Sequence, residues 1–230
     1  FLEHMCFKGT VRRQKAIDIS KELDSLGSKY NAFTAQEYTG YYVKCAADKM
    51  GIALDVISDI FQNSRFDAKE IEKERGPIKE EINMYVDHPP RHVGDIYDEL
   101  VYGDHPLGWN VVGTKEIIDR ITRDDFAKYF SNHYFAANTV VAVAGNTDPA
   151  KTRSEIEKFF NNIREGERAE PLVAAEHQKA PAMKIEYKKK AASRRTTKTT
   201  AYLKNLLLFS SVFCSGMGAF SFSPIFFIWT

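Results

Sequence analysis

The sequence predicts an α+β fold, a mostly antiparallel sheet covered by helices on one face. Three observations predict it. Apolar residues recur at helical spacing in the segments Gln14–Leu26 and Met50–Phe61. Between them, Lys29–Ala47 is rich in Tyr, Thr, Phe and Val, residues that suit a pleated, half-buried surface. Strand and helix patterns then mix along the chain without regular βαβ alternation, which argues against a doubly wound parallel sheet.

From Gln14, the apolar positions Ile17, Ile19, Leu23 and Leu26 form an amphipathic helix that Gly27 ends. Lys29–Ala47 divides into two antiparallel strands about a polar turn near Gln36. Met50, Ala53, Leu54, Ile57, Ile60 and Phe61 keep the stripe of a helix packed on a sheet. Asp67 with Glu70 reads as a capping box for the next helix, and Thr122 with Asp125 as another. Val140–Ala144 is a short apolar run, read as a buried strand. Asp148-Pro149 starts a further helix with proline in its first turn. Tyr102 and Trp109 are read as core residues.

At 230 residues the chain suits one sizeable domain, or one and a fraction. Its net charge of +1 gives no case for a nucleic-acid partner. Cys6, Cys45 and Cys214 form neither a ligand spacing nor an even framework. They fit a reducing compartment, or buried thiols, better than a disulfide scaffold. A cytoplasmic location is favoured, with the mitochondrion and periplasm as alternatives.

Phe1-Leu2-Glu3-His4 reads as the last four letters of an H-x-x-E-H pattern whose first histidine has been cut off. On a helix the two histidines of that pattern stand one above the other at i and i+4. The glutamate between them lies on the same side, where it can hold an attacking water. A lone Glu-His pair is more often a solvated helix face. The blocks that follow change its meaning. Phe1–Thr10 reads FLEHMCFKGT, and Asn31–Tyr42 reads NAFTAQEYTGYY. Glu80–Tyr85 reads EEINMY, His105–Gly108 reads HPLG and precedes Gly113-Thr114, and Val141–Asn146 reads VAVAGN.

In this order and spacing the blocks closely resemble the N-terminal domain of the pitrilysin/insulinase family of metallopeptidases, the inverzincins. That family includes bacterial zinc proteases and mitochondrial processing peptidase beta subunits. The resemblance runs from Phe1 to Lys189 and implies a zinc-dependent endopeptidase that cleaves polypeptides with a zinc-activated water. It implies Zn²⁺ held by the missing histidine, His4 and a downstream glutamate. Glu3 would be the general base. Glu74, Ile78, Glu81 and Tyr85 share one helical face by their spacing, whereas Glu80 points about a quarter-turn away. The family places an acidic residue two turns before its zinc glutamate, which Glu74 matches, so the resemblance implies Glu81 as the third ligand and Glu74 as the acidic residue that orients the metal site. Pro77 lies inside this helix, where proline removes a hydrogen bond and favours a kink.

By the same resemblance, Asn31–Thr34 is the substrate-binding edge strand, with Asn31 and Ala32 the residues chosen. A polypeptide would add there as an extra strand through backbone groups. Relatives enclose peptides with a second homologous domain or a partner subunit, so the 230-residue species alone is expected to be inactive. A non-catalytic structural or assembly subunit of the family is the rival reading.

The character changes near Lys188. A basic, Thr/Ser-rich stretch leads into Asn205–Thr230, which carries no charge. Such a run qualifies by length as a membrane span, and a membrane-tethered variant is a further rival. Ser, Gly and Pro interrupt it, however, and the family match stops abruptly. The stretch is read as out of frame or lineage-specific, and membrane association is doubted. The expected division is 1–189 for the peptidase domain and 190–230 for an unrelated tail.

Overall fold

The computed structural model describes residues 1–175, 180–189, 196–202 and 225–229. Its helices are α1 (Leu2–Cys6), α2 (Ala16–Ser25), α3 (Met50–Asn63), α4 (Ala68–Val86), α5 (Pro89–Tyr102), α6 (Lys115–Arg120), α7 (Arg123–His133) and α8 (Pro149–Phe160). Its strands are β1 (Lys29–Thr34), β2 (Thr39–Lys44), β3 (Val140–Ala144), β4 (Met183–Lys189), β5 (Thr196–Tyr202) and β6 (Ile225–Trp229). The fold is α+β, as expected. The chain divides into two compact units: Phe1–Gly76 with Asp119–Glu170 and Ala219–Thr230, and Pro77–Ile118 with Pro171–Gly218.

The first unit holds an antiparallel sheet in the order β1-β2-β6-β3. Alternation decides which face is covered. Tyr41 and Val43 of β2 are buried, and their cross-strand partners Ala32 and Tyr30 share that face. Ile19 and Leu23 of α2 pack there, as do Ala53, Leu54, Ile57, Ile60 and Phe61 of α3, joined by Phe126 and Phe130 of α7. On the other face the Phe33 ring lies over its cross-strand neighbour Gly40, where a Cβ would come within 2.2 Å of it. Only glycine admits the ring. Tyr41 donates a hydrogen bond to the Cys6 thiol at 3.3 Å. Burial pushes that thiol up to about 11, so it packs as a neutral group.

A buried ionic cluster fixes the turn that follows α1. Arg13 grips Glu22 of α2 with Nε at 2.6 Å and Nη2 at 2.8 Å. It also donates to Asp55 at 2.7 Å and to Asp59 at 2.8 Å, both on α3. Thr10 and Asn63 also donate to Asp59, at 2.6 and 2.9 Å, and Arg12 Nε meets it at 3.2 Å. Bidentate guanidinium contacts of this kind are short and directional.

In the second unit, α5 packs against the antiparallel strand pair β4-β5 and against the 3-10 turn Pro106–Gly108. His105 caps that turn, its Nδ1 accepting from the Leu107 amide at 3.2 Å. A Cβ on Gly108 would sit 2.7 Å from the Gly103 carbonyl, which explains glycine at this point of the HPLG block. His92 and Glu99 of α5 meet Glu186 and Lys184 of β4 at 2.8 and 2.5 Å.

Several sequence expectations hold. The capping box of Thr122 with Asp125 is formed, and Asp148 accepts from the Lys151 amide at 2.8 Å to cap α8. Pro77 lies inside α4, as the sequence placed it. Others need correction. Tyr102 and Trp109 are 39% and 57% exposed, because the helix and turn that carry them face outward at those positions. β3 is half-exposed rather than buried, as expected of the last described strand in its sheet. Among the described residues no helix is long and apolar enough to cross a membrane. The apolar run Asn205–Thr230, with the reading placed on it, lies outside the described residues apart from β6.

Candidate metal centre and substrate edge

α1 turns Met5 and Cys6 fully into the core, which leaves Glu3 and His4 half-exposed on its other side. The Thr34 hydroxyl, at the end of β1, donates a hydrogen bond to Oε2 of Glu3. His4 Nδ1–H donates to Glu74 Oε1 at 3.0 Å, and Lys8 Nζ meets Glu74 Oε2 at 2.6 Å. Glu74 is only 8% exposed. Burial alone would raise its pKa, but the hydrogen bonds from Lys8 and His4 outweigh it and hold the carboxyl below the ordinary glutamate value. A fixed anion on Nδ1 sets the tautomer of His4. Nε2 is then the nitrogen through which this imidazole would bind a metal.

In the second unit, Glu81 is half-buried and accepts a hydrogen bond from the Tyr85 phenol at 2.6 Å. Its neighbour Glu80 is exposed and meets only the Asn83 amide, at 3.4 Å, among its described contacts. An imidazole nitrogen and a carboxylate oxygen are donors that zinc accepts. His4 and Glu81 each carry one such donor. Among the described residues no group of three His, Cys, Asp or Glu side chains gathers to hold a metal.

β1 is an edge of the sheet among the described strands. Asn31 is exposed on it, while the Ala32 side chain points into the core at 9% exposure. Ala32 thus offers only backbone to the outside. Beside the strand lies a groove of about 470 Å³ lined by Phe7, Lys8, Ile17, Ser20, Tyr30 and Asn31 among others. Ile17 was expected on the core stripe of α2. It is 51% exposed because it faces this groove.

Sequence reasoning missed Lys8 and Thr34. Lys8 stands four residues after His4, one turn further on, and that spacing was the available signal. Thr34 closes the Asn31–Thr34 stretch, but nothing local marks its reach to Glu3.

Residues 1–115 match the sequence profile of insulinase, peptidase family M16, and residues 120–205 match that of the peptidase M16 inactive domain. The chain is 39% identical over 162 residues to an uncharacterised zinc protease of Bacillus subtilis, covering 70% of this chain and 39% of that protein. It is 35% identical over 175 residues to the mitochondrial-processing peptidase subunit beta of Caenorhabditis elegans, covering 76% and 38%. A protease structure from Helicobacter pylori superposes with a TM-score of 0.67 at 22% identity, covering 76% of this chain and 42% of that one. The chain thus spans about two fifths of the length of the curated relatives it matches. With its family motifs and fold in agreement, the chain belongs to the insulinase family, peptidase family M16.

Proposed function

We propose that the chain is the N-terminal part of a zinc metalloendopeptidase that hydrolyses peptide bonds within polypeptides. The observation that carries this reading is His4 held through Nδ1 by a buried, ionised Glu74 that Lys8 also neutralises. A histidine whose second nitrogen is anchored by a carboxylate is the arrangement that metal-binding histidines favour. Bound zinc would bring the pKa of water toward neutrality and polarise the scissile carbonyl.

The chain's own residues do the rest. His4 and Glu81 are ligands, and the remaining one comes from outside the described residues. Glu3 takes the proton of the attacking water and passes it to the leaving amine. The Thr34 hydroxyl steadies one of its oxygens for that task. Asn31 and Ala32 lie on the edge strand that the polypeptide joins through backbone hydrogen bonds, a mode that tolerates varied side chains. A second homologous domain or a partner subunit would close the site over the peptide.

Two preparations test this. In the full-length parent protein, cleavage of an unstructured peptide is expected to be abolished by a chelator, and His4→Ala and Glu81→Ala are each expected to lose bound zinc. The 230-residue chain alone is expected to cleave nothing. Retained zinc in both variants would overturn the ligand assignment, and robust chelator-sensitive turnover by the 230-residue chain would overturn the need for outside residues.

A further inference from the structure

We propose that Tyr85 and Arg91 are positioning residues that fix the Glu81 carboxylate for metal binding. The inference rests on the reading of Glu81 as a ligand and deepens it. Glu81 and Tyr85 stand one turn apart on α4, where side chains at i and i+4 meet. The Tyr85 phenol donates to Glu81 Oε1 at 2.6 Å, within the short range of O–H···O⁻ bonds. The guanidinium carbon of Arg91 lies 3.6 Å from the centroid of the Tyr85 ring. That is close cation–π contact, and a cation over the face holds the ring in place.

The backbone makes the stacking possible. Only Asp87 and His88 separate α4 from α5, and Pro89 and Pro90 open α5. Proline at these positions is pre-set for helix entry, so the corner is stiff. The Arg91 and His92 amides both donate to the His88 carbonyl at 3.0 Å, closing the first turn. Arg91 is thereby folded back over the preceding helix end. The chain of contacts runs from Arg91 to the Tyr85 ring, and from the phenol to one carboxylate oxygen of Glu81.

The phenol on Oε1 sets the plane of the Glu81 carboxylate, and a metal would meet the group in that orientation. Without the phenol the carboxylate would lose that restraint on χ3, a broad torsion, and binding would have to restore the orientation. Loss of such an outer partner typically weakens metal binding by about 10–100-fold.

The test is zinc affinity of the full-length parent, measured by competition with a chromophoric chelator, for wild type, Glu81→Gln, Tyr85→Phe, Arg91→Ala and the Tyr85→Phe/Arg91→Ala pair. Metal-free thermal unfolding controls for folding. Glu81→Gln should weaken zinc binding most. Tyr85→Phe should weaken it by about 10–100-fold. Arg91→Ala should weaken it less, and should add nothing once Tyr85 is Phe, because both act through one bond. Weakening by Glu81→Gln with no effect of Tyr85→Phe would overturn the positioning role and leave the ligand role standing. No effect of Glu81→Gln would overturn the ligand reading, and this inference with it.

Discussion

Glu3→Gln in the full-length parent is expected to lower kcat for peptide cleavage by about 10²–10⁴-fold, the usual share of a general base. Zinc affinity should stay unchanged, because Glu3 is proposed as the base and not as a ligand. The substitution is clean for a structural reason. The glutamine carbonyl oxygen still accepts the Thr34 hydrogen bond, so α1 keeps its contact with β1. Single-turnover cleavage and a zinc competition assay on the same preparation separate the two readouts. A rate within about tenfold of wild type would remove Glu3 from the base role, since a positioned base contributes more than that. Loss of zinc would make it a metal-site residue instead.

The second large effect concerns stability. Asp59→Ala is expected to destabilise the first unit by about 1–3 kcal/mol, the usual cost of losing hydrogen bonds to a buried charged group, because Arg13 keeps Glu22 and Asp55. Asp59 is 1% exposed and holds Arg13, which is 8% exposed. Removing it leaves a guanidinium with less compensation inside the fold. Burial by itself would raise the Asp59 pKa, but hydrogen bonds from Thr10, Asn63 and Arg13 prevail and lower it. The sign for stability follows. A carboxyl with a depressed folded pKa stabilises the fold at pH values above its unfolded value of about 3.9. That contribution is lost as pH falls through the lower folded value. Urea unfolding at pH 7 and at about pH 3 should therefore show the gap between wild type and Asp59→Ala narrowing in acid. An equal gap at both values would refute the ionic account.

Much of the fold was legible because its signals are local. The apolar stripe of α3, the pair of strands around Gln36, and the caps at Thr122 and Asp148 each depend on residues within a few positions. Part of the site was legible for the same reason: the Glu3-His4 pair and the Glu74–Glu81 spacing are written along single helices. The partners of those residues were not. Lys8 and Thr34 reach Glu74 and Glu3 across 66 and 31 positions. Arg13 meets Asp59 across 46. Such pairs obey geometry that no periodicity encodes. The misreading of Trp109 has a related cause. An aromatic residue predicts burial only on average, and here the Trp109 indole stands largely in solvent and donates to Asp104 at 3.1 Å.

The open edge at β1 has one more consequence. Backbone groups that accept a foreign peptide strand would accept β1 of another copy just as well. The protein must therefore resist self-association at the very place where it is proposed to be receptive. Its six residues are too few for a long ladder, and on its outer face Lys29 and Asn31 set charge and amide beside the half-buried Phe33. Charge and amide on an edge strand disfavour edge-to-edge pairing. Selection for valine or isoleucine there, which would strengthen the strand, would trade a receptive edge for a sticky one.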